Sequence, residues 1–296
     1  MAITNERQIY IDGKFYPKSE AKVSVYDHGF LYGDGVFEGI RAYNGIVFKL
    51  KEHIDRLYRS AHAIMLNVPL TKQEMTQAVL DTLRKNQMKD AYIRLVVSRG
   101  VGDLGLDPRK CPKASVIVIA DTIQCKDSNS QETGITTIFS WVKRNPVDAT
   151  THEIKSLNYL NSILAKIEAN AYGVDEAMCL ESNGYIAEGV GENAFIVKNG
   201  ELFTPPTATG ALSGVTAEVV SEIAKKLGIK VTITNLTPFM LFTADEAFFT
   251  GTAMEMTPIR EVNKRIIGEG NPGVVTKKLM SEFQKVISDP TQGTKI

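Results

Sequence analysis

An α/β fold in two domains, a smaller α+β domain followed by a larger α/β one, is what this sequence predicts, on three observations. Segments with helical apolar spacing and short β-branched runs interleave along the whole chain. At 296 residues the chain is long enough for about two domains, each with a sizeable core. The segment 121–132 (Asp-Thr-Ile-Gln-Cys-Lys-Asp-Ser-Asn-Ser-Gln-Glu) is almost without apolar side chains and reads as a linker. The expected division is therefore 1–120, the linker 121–132, and a larger domain 133–296 that carries Lys155.

In order, Ile9–Ile11 and Lys14–Tyr16 flank Asp12-Gly13, and Val36–Tyr43 and Ile46–Leu50 flank Asn44-Gly45. Both pairs read as hairpins, because their two-residue turns use residues that tolerate positive φ. Helices are expected at Lys51–Met65 and Lys72–Asn86, the second opened by Thr71 and Glu74 in capping-box spacing. Ala91–Arg99 and Ala114–Ala120 are apolar and β-branched, as buried strands are. After the linker come a strand at Ile135–Val142 and a helix after Lys155, on which Ile154, Leu157, Leu160, Leu164 and Ile167 recur at helical spacing and which Gly173 ends. Strands follow through Glu176–Pro205, with turns at Asn183-Gly184 and Asn199-Gly200. A helix at Thr216–Leu227, a strand at Lys230–Thr234, a capped turn at Thr237-Pro238, a strand at Glu246–Thr250 and a helix at Gly273–Ile287 complete the series.

Composition narrows the function. Lys plus Arg and Asp plus Glu number 34 each, so no charge excess points to nucleic acid or an anionic membrane. The N-terminus is polar, without the apolar core of a signal peptide, and no apolar run approaches spanning length. Cys111, Cys125 and Cys179 are three, widely spaced and without a C-x-x-C pair, which fits a reduced, cytoplasmic setting and neither a disulfide framework nor a zinc site. His28, His53, His62 and His152 are scattered, so no metal centre is expected.

Lys155 lies in Thr151-His-Glu-Ile-Lys-Ser-Leu-Asn-Tyr-Leu-Asn161. With Ser156 as N-cap, Lys155 would stand before the first helical turn, where the positive helix end disfavours an ammonium. Tyr159, four residues on, would share its side of the helix. Taken alone, such a lysine is more often merely solvated. Four further motifs change that weighting: Tyr32-Gly-Asp-Gly-Val-Phe-Glu-Gly-Ile-Arg41; His53-Ile-Asp-Arg-Leu57; Glu188-Gly-Val-Gly-Glu-Asn193; and Leu212-Ser-Gly-Val-Thr216 with Gly251-Thr-Ala253. Together, in this order and from about Tyr10 to Arg260, they resemble the class IV (fold-type IV) pyridoxal-phosphate aminotransferases, whose two-domain architecture is that of D-amino-acid aminotransferase. Within that family the chain is most similar to the branched-chain amino-acid aminotransferases.

The resemblance implies pyridoxal 5'-phosphate as cofactor, which makes three demands. A lysine amine must bind the cofactor covalently and move the substrate's α-proton, so its pKa must fall well below about 10.4; that residue is Lys155. A carboxylate must hold the pyridine nitrogen protonated, and the family's acid maps onto Glu188, with Tyr159 on the ring's phenolic oxygen. The phosphate dianion needs donors. Leu212, Gly214, Val215 and Thr216 open a helix whose N-terminal N–H groups suit an anion, Thr252 follows an apolar strand that would add a second nest, and Arg56 matches the family's phosphate arginine. Arg56 by itself would read as a solvated helix residue, and Glu188 as a surface residue beside a glycine turn. Gly33–Gly39 and Gly189–Gly191 are not dinucleotide loops, since neither follows a strand and opens a helix.

For the substrate, the resemblance makes Tyr32, Phe37 and Tyr92 an aromatic wall, Arg94 the acceptor of glutamate's side-chain carboxylate, and Thr252 and Ala253 donors to the α-carboxylate. The loop Val101–Pro108 resembles one that brings Leu106 into a neighbouring subunit's site, which implies a homodimer, up to a hexamer built as a trimer of dimers. The implied reaction is ping-pong transamination of branched-chain L-amino acids with 2-oxoglutarate. The alternatives are D-amino-acid transaminase, whose arginine–histidine carboxylate trap lies in the region matching Arg99–Arg109 where this chain has no histidine, and aminodeoxychorismate lyase, which matches the first domain less well. A non-catalytic cofactor carrier would have no use for Arg94. Leu95 stands where many branched-chain enzymes have proline.

Overall fold

The computed structural model describes residues 6–123 and 130–296, and its contacts divide the chain into two units. Unit 1 is Met1–Gln124 with Ile154–Asn158 and Ile287–Ile296; unit 2 is Cys125–Glu153 with Tyr159–Val286. Lys155 thus groups with the N-terminal residues, although by number it falls in the span 133–296. Of the expected linker, Asp121 ends a strand and Ser130–Thr133 form a helical turn, while 124–129 lie outside the described residues.

Unit 1 runs β1 (Gln8–Ile11), β2 (Lys14–Pro17), α1 (His28–Tyr32), β3 (Gly35–Tyr43), β4 (Ile46–Phe48), α2 (Leu50–Ala63), α3 (Lys72–Lys85), β5 (Ala91–Ser98) and β6 (Ser115–Asp121). Both hairpins form as expected: Asp12 and Gly13 have φ 49° and 90°, Asn44 and Gly45 have φ 49° and 84°. The Thr71–Glu74 capping box is present in both directions. The apolar faces of α2 and α3 close over the antiparallel sheet, where Leu57, Met75, Val79, Leu83, Ile93 and Leu95 are fully buried.

Unit 2 contains α4 (Ser130–Thr133), β7 (Ile135–Phe139), α5 (Leu160–Ala171), β8 (Glu176–Leu180), β9 (Ile186–Gly189), β10 (Asn193–Lys198), β11 (Glu201–Thr204), α6 (Val215–Lys226), β12 (Val231–Ile233), α7 (Pro238–Phe242), β13 (Glu246–Gly251), β14 (Glu255–Val262), β15 (Arg265–Ile266) and most of α8 (Val274–Ser288). The last strand, β16 (Gly293–Lys295), belongs to unit 1 and pairs antiparallel with β4. The unit 1 sheet has the order β16-β4-β3-β5-β6-β1-β2; that of unit 2 is mixed, β12-β11-β10-β13-β14-β7-β8-β9, with β15 on β14.

Two differences from the sequence expectation matter. Strand β14 is additional to the expected elements; it contains Pro258, which lacks an N–H for a ladder. The structure accommodates it because Pro258 pairs with Phe248 on β13, while pairing with β7 begins only at Ile259. The other difference corrects the helix after Lys155. It starts at Leu160, with Tyr159 at the N-cap and no side-chain cap, so Ser156 is not the N-cap.

Candidate active site

Residues 154–158 form no helix: they bend at Ile154 and Leu157 and touch β3 through one bridge residue. Ser156 forms a bridge with Val36, the Phe37 N–H donates to the Lys155 carbonyl at 2.9 Å, and the Leu157 N–H to that of Gly35 at 2.9 Å. This short stretch takes the edge of β3 that β4, paired only at Ala42 and Tyr43, leaves open. The Lys155 N–H also donates to Ser60 Oγ on α2 at 3.1 Å. No helix begins beside Lys155, so the helix dipole does not act on its amine, and Tyr159 is not its neighbour one turn on. A backbone held on three sides fixes the amine instead, with Nζ 4.7 Å from the centre of the Phe37 ring.

Alternation along β3 sorts the other unit 1 residues onto two faces. On one, Phe37, Gly39 and Arg41 lie opposite Val96, Arg94 and Tyr92 of β5. The Arg94 guanidinium rests 4.6 Å above Phe37, with Nη2 3.3 Å from the Tyr92 hydroxyl. Gly39 permits this: a Cβ there would run into the Tyr92 hydroxyl. The opposite face carries Glu38, which is fully buried against α2. Arg56 grips its carboxylate with Nε at 2.8 Å and Nη2 at 2.7 Å, and His53 Nδ1 sits 2.8 Å away. Burial alone would raise the Glu38 pKa, but the Arg56 charge and the hydrogen bonds from Arg56 and His53 hold it down to about 2. His53 is shifted down, chiefly by burial and against the pull of Glu38. Tyr32, at the end of α1, donates to the Leu104 carbonyl at 2.6 Å, while Leu106 is 78 % exposed.

In unit 2, Glu188 lies near the end of β9 and is buried. Its Oε2 accepts the Leu212 N–H at 2.8 Å, and its Oε1 lies 3.3 Å from Arg144 Nε and 3.5 Å from His152 Nδ1. The Tyr159 ring lies against His152, centres 5.6 Å apart. Asn193 Nδ2 donates to the Leu212 carbonyl at 2.7 Å, and a Cβ on Gly214 would collide with Asn193 Oδ1. Gly214 caps α6 with no side chain on the helix end, and Val215 and Thr216 are buried in its first turn. The ladder Asn193↔Thr250 brings the turn with Thr252 and Ala253 to the same strand pair, where Thr250 Oγ1 is buried without a hydrogen-bond partner.

The expected site residues thus fall into two groups. Lys155, Phe37, Tyr92 and Arg94 gather on one face in unit 1, with Arg56 behind β3; Glu188, Leu212, Gly214, Val215 and Thr216 gather in unit 2, near Tyr159, Thr252 and Ala253. Sequence reasoning misses Arg144, His152, Ser60 and the side chains of Glu38 and Asn193. Glu38 and Asn193 stand inside the motifs, where they could have been singled out, whereas Arg144 has no local signal at all. Among the described residues no group of three or more His, Cys, Asp or Glu could hold a metal ion, and no helix is long and apolar enough to cross a membrane.

Residues 35–262 match the family model of amino-transferase class IV. A Methanocaldococcus jannaschii protein described as a putative branched-chain-amino-acid aminotransferase is 55% identical over 279 residues, 94% of this chain and 96% of that one. The crystal structure of the Escherichia coli branched-chain amino acid aminotransferase superposes with a TM-score of 0.93 at 37% identity, covering 95% of both chains. A Thermus branched-chain amino acid aminotransferase complexed with N-(5'-phosphopyridoxyl)-L-glutamate gives 0.90 at 38%, covering 96% of this chain and 94% of that one.

Proposed function

The chain belongs to the class IV aminotransferase family, and on that footing we propose that it is a branched-chain amino-acid aminotransferase. It moves the amino group of leucine, isoleucine or valine to 2-oxoglutarate through pyridoxal 5'-phosphate, in two half-reactions. One observation carries the reading: a single face of β3 and β5 presents an aromatic wall, a guanidinium and a lysine amine, with Arg94 and Lys155 Nζ 4.6 and 4.7 Å from the same Phe37 ring. An apolar side chain finds Phe37 there, and the second carboxylate of glutamate finds Arg94.

The residues fit the cofactor. Glu188 is a buried carboxylate with a permanent cation beside it, as a protonated ring nitrogen requires of its partner. The first turn of α6 has no side-chain cap, which leaves its end for an anion, and Thr250 Oγ1 is buried without a protein partner. When bound, pyridoxal phosphate supplies an aldehyde carbon for the amino group and a ring that stores the electron pair left by the α-proton.

Lys155 is the residue that would hold that aldehyde carbon, its Nζ condensing there with loss of one water; set free when the substrate's amine takes its place, Nζ would carry the α-proton. Glu188 would face the ring nitrogen and hold a proton there, and the Tyr159 hydroxyl would hold the phenolic oxygen. Arg56, Thr216, Thr252 and the N–H groups at Gly214 and Val215 would hold the phosphate, while Leu212, whose N–H donates to Glu188, would brace the acid at the ring nitrogen. Tyr32, Phe37, Tyr92 and the partner's loop with Leu106 exclude water from the apolar side chain, while Thr252 and Ala253 receive the α-carboxylate. D-amino-acid transamination would call for an arginine trap in the 99–109 segment. Arg99 is instead taken by both oxygens of Asp34 and by the carbonyls of Ile64 and Met65.

A cytoplasmic homodimer, or a trimer of such dimers, fits the apolar surface that a lone chain exposes. Phe30 is 67 %, Leu104 66 % and Trp141 83 % exposed. Lys155→Ala is expected to abolish glutamate formation in a panel of L- and D-amino acids, and to remove the borohydride-trappable adduct with cofactor. Turnover by the variant, or a wild-type preference for D-amino acids, would refute the assignment.

A further inference from the structure

Among the described residues Arg144 is the largest fully buried side chain, and it lies between β7 and α5, where spacing along the chain offers no hint of a role. Its backbone N–H donates to the Leu180 carbonyl at 2.9 Å. Nη1 donates to Asn161 Oδ1 at 2.9 Å and to Ser162 Oγ at 3.1 Å, and Nη2 to the Gly189 carbonyl. Nε has no hydrogen-bond partner but stands 3.3 Å from Glu188 Oε1. The guanidinium is therefore clamped by the first turn of α5 and by the end of β9, with its remaining edge turned to the carboxylate.

The charges around Glu188 make this consequential. His152 touches both groups, 3.5 Å from Glu188 Oε1 and 3.5 Å from Arg144 Nη1. Two more carboxylates belong to this cluster: Glu192 is shifted up by burial and then by Glu176, while Glu176 is itself paired with Lys166 Nζ at 2.9 Å. Against Glu188 itself the permanent positive charge is Arg144, 3.3 Å from Oε1 and fully buried.

We infer that Arg144 is a positioning residue of the reaction: its clamped guanidinium, 3.3 Å from Glu188 Oε1, favours placing the shared proton on the cofactor's ring nitrogen over the carboxyl. The inference rests on the function proposed above. One proton lies between Glu188 and the ring nitrogen, and Arg144 neither gives nor takes one. Because its charge touches the carboxylate, it lowers the energy of the carboxylate–pyridinium arrangement relative to the carboxylic acid–pyridine arrangement. Only the former stores the electron pair well.

The test is the ring-nitrogen chemical shift of 15N-labelled pyridoxal phosphate bound to wild-type, Arg144→Met and Arg144→Lys protein. The methionine variant should move the signal more than halfway from the protonated toward the unprotonated range, the lysine variant should recover most of that movement, and the leucine half-reaction of the methionine variant should slow at least 100-fold with little change in KM. A protonated-range signal in Arg144→Met would overturn the inference, whatever the rate, since it would leave Arg144 a structural part only. Should Arg144→Met not fold, Asn161→Ala loosens the clamp and keeps the charge; it should shift the signal in the same direction by less, and no shift would again overturn the inference. Wild-type protein that binds no labelled cofactor would sink the proposed function as well, a result distinct from binding with an unaltered signal.

Discussion

Glu38 carries a full negative charge where no water reaches it, held by Arg56 on two edges and His53 on a third side. Its pKa of about 2 in the folded chain lies below the ordinary 4.5, so protons bind the unfolded chain in preference. The stability it contributes is complete above about pH 4.5 and is lost as the pH falls toward 2, to a total of roughly 3 kcal/mol. His53 is also depressed, so an earlier loss begins as the pH falls below its ordinary value of 6.5. Acid unfolding followed by circular dichroism should show both stages. Glu38→Gln should flatten the lower one and destabilise the protein at neutral pH by about 3–5 kcal/mol, because it strands the buried Arg56 charge. A neutral-pH stability equal to wild type would contradict this account.

Gly39 makes a prediction at the same scale but on the other face of β3. In Gly39→Ala the new methyl displaces the Tyr92 hydroxyl, and with it the position of Arg94. KM for 2-oxoglutarate should rise about tenfold or more, while KM for leucine, which has no second carboxylate, changes far less. An equal rise for both would remove Arg94 from the recognition of that carboxylate.

At the scale of elements, local rules succeed where local energy decides. The two hairpins form because Asp12-Gly13 and Asn44-Gly45 can adopt positive φ, and α3 begins where Thr71 and Glu74 cap each other. Thr71→Ala should cost about 1 kcal/mol in urea unfolding; a loss near zero would mean that tertiary packing alone sets that helix start. Local rules fail where a neighbouring strand wins. Leu157 has helical spacing with the residues after it and Ser156 suits a helix start, yet they pair with Gly35 and Val36 and leave α5 to begin at Leu160. Pro258 hides β14 in the same way, since only register shows that its missing N–H meets no partner strand.

At the scale of the whole molecule, α5 is turned the opposite way from an ordinary surface helix. Its buried positions are Ser162, Ala165 and Ala169, whereas Leu160, Ile163, Leu164 and Ile167 are 60, 52, 45 and 57 % exposed. An uncharged apolar stripe of this kind is expected to meet another subunit in the proposed homo-oligomer. Replacing Ile163 and Ile167 with glutamate should lower the mass seen by analytical ultracentrifugation while circular dichroism stays unchanged. A wild-type chain that sediments as a monomer would exclude that use of α5.

The sequence by itself determined the mixed architecture, the turns and caps, and the resemblance that singles out the lysine, the acid and the glycine-bearing anion loop, because each is written in a few adjacent residues whose backbone needs are local. The tertiary structure alone decided what surrounds them: that the Lys155 segment is pinned to β3 through a bridge at Ser156, that Glu38 holds Arg56, and that Arg144 stands against Glu188. Arg56 is 18 residues from Glu38 along the chain, and Arg144 is far more distant from Glu188. Charge compensation in a buried site depends on distance through space, and no spacing along the chain encodes it.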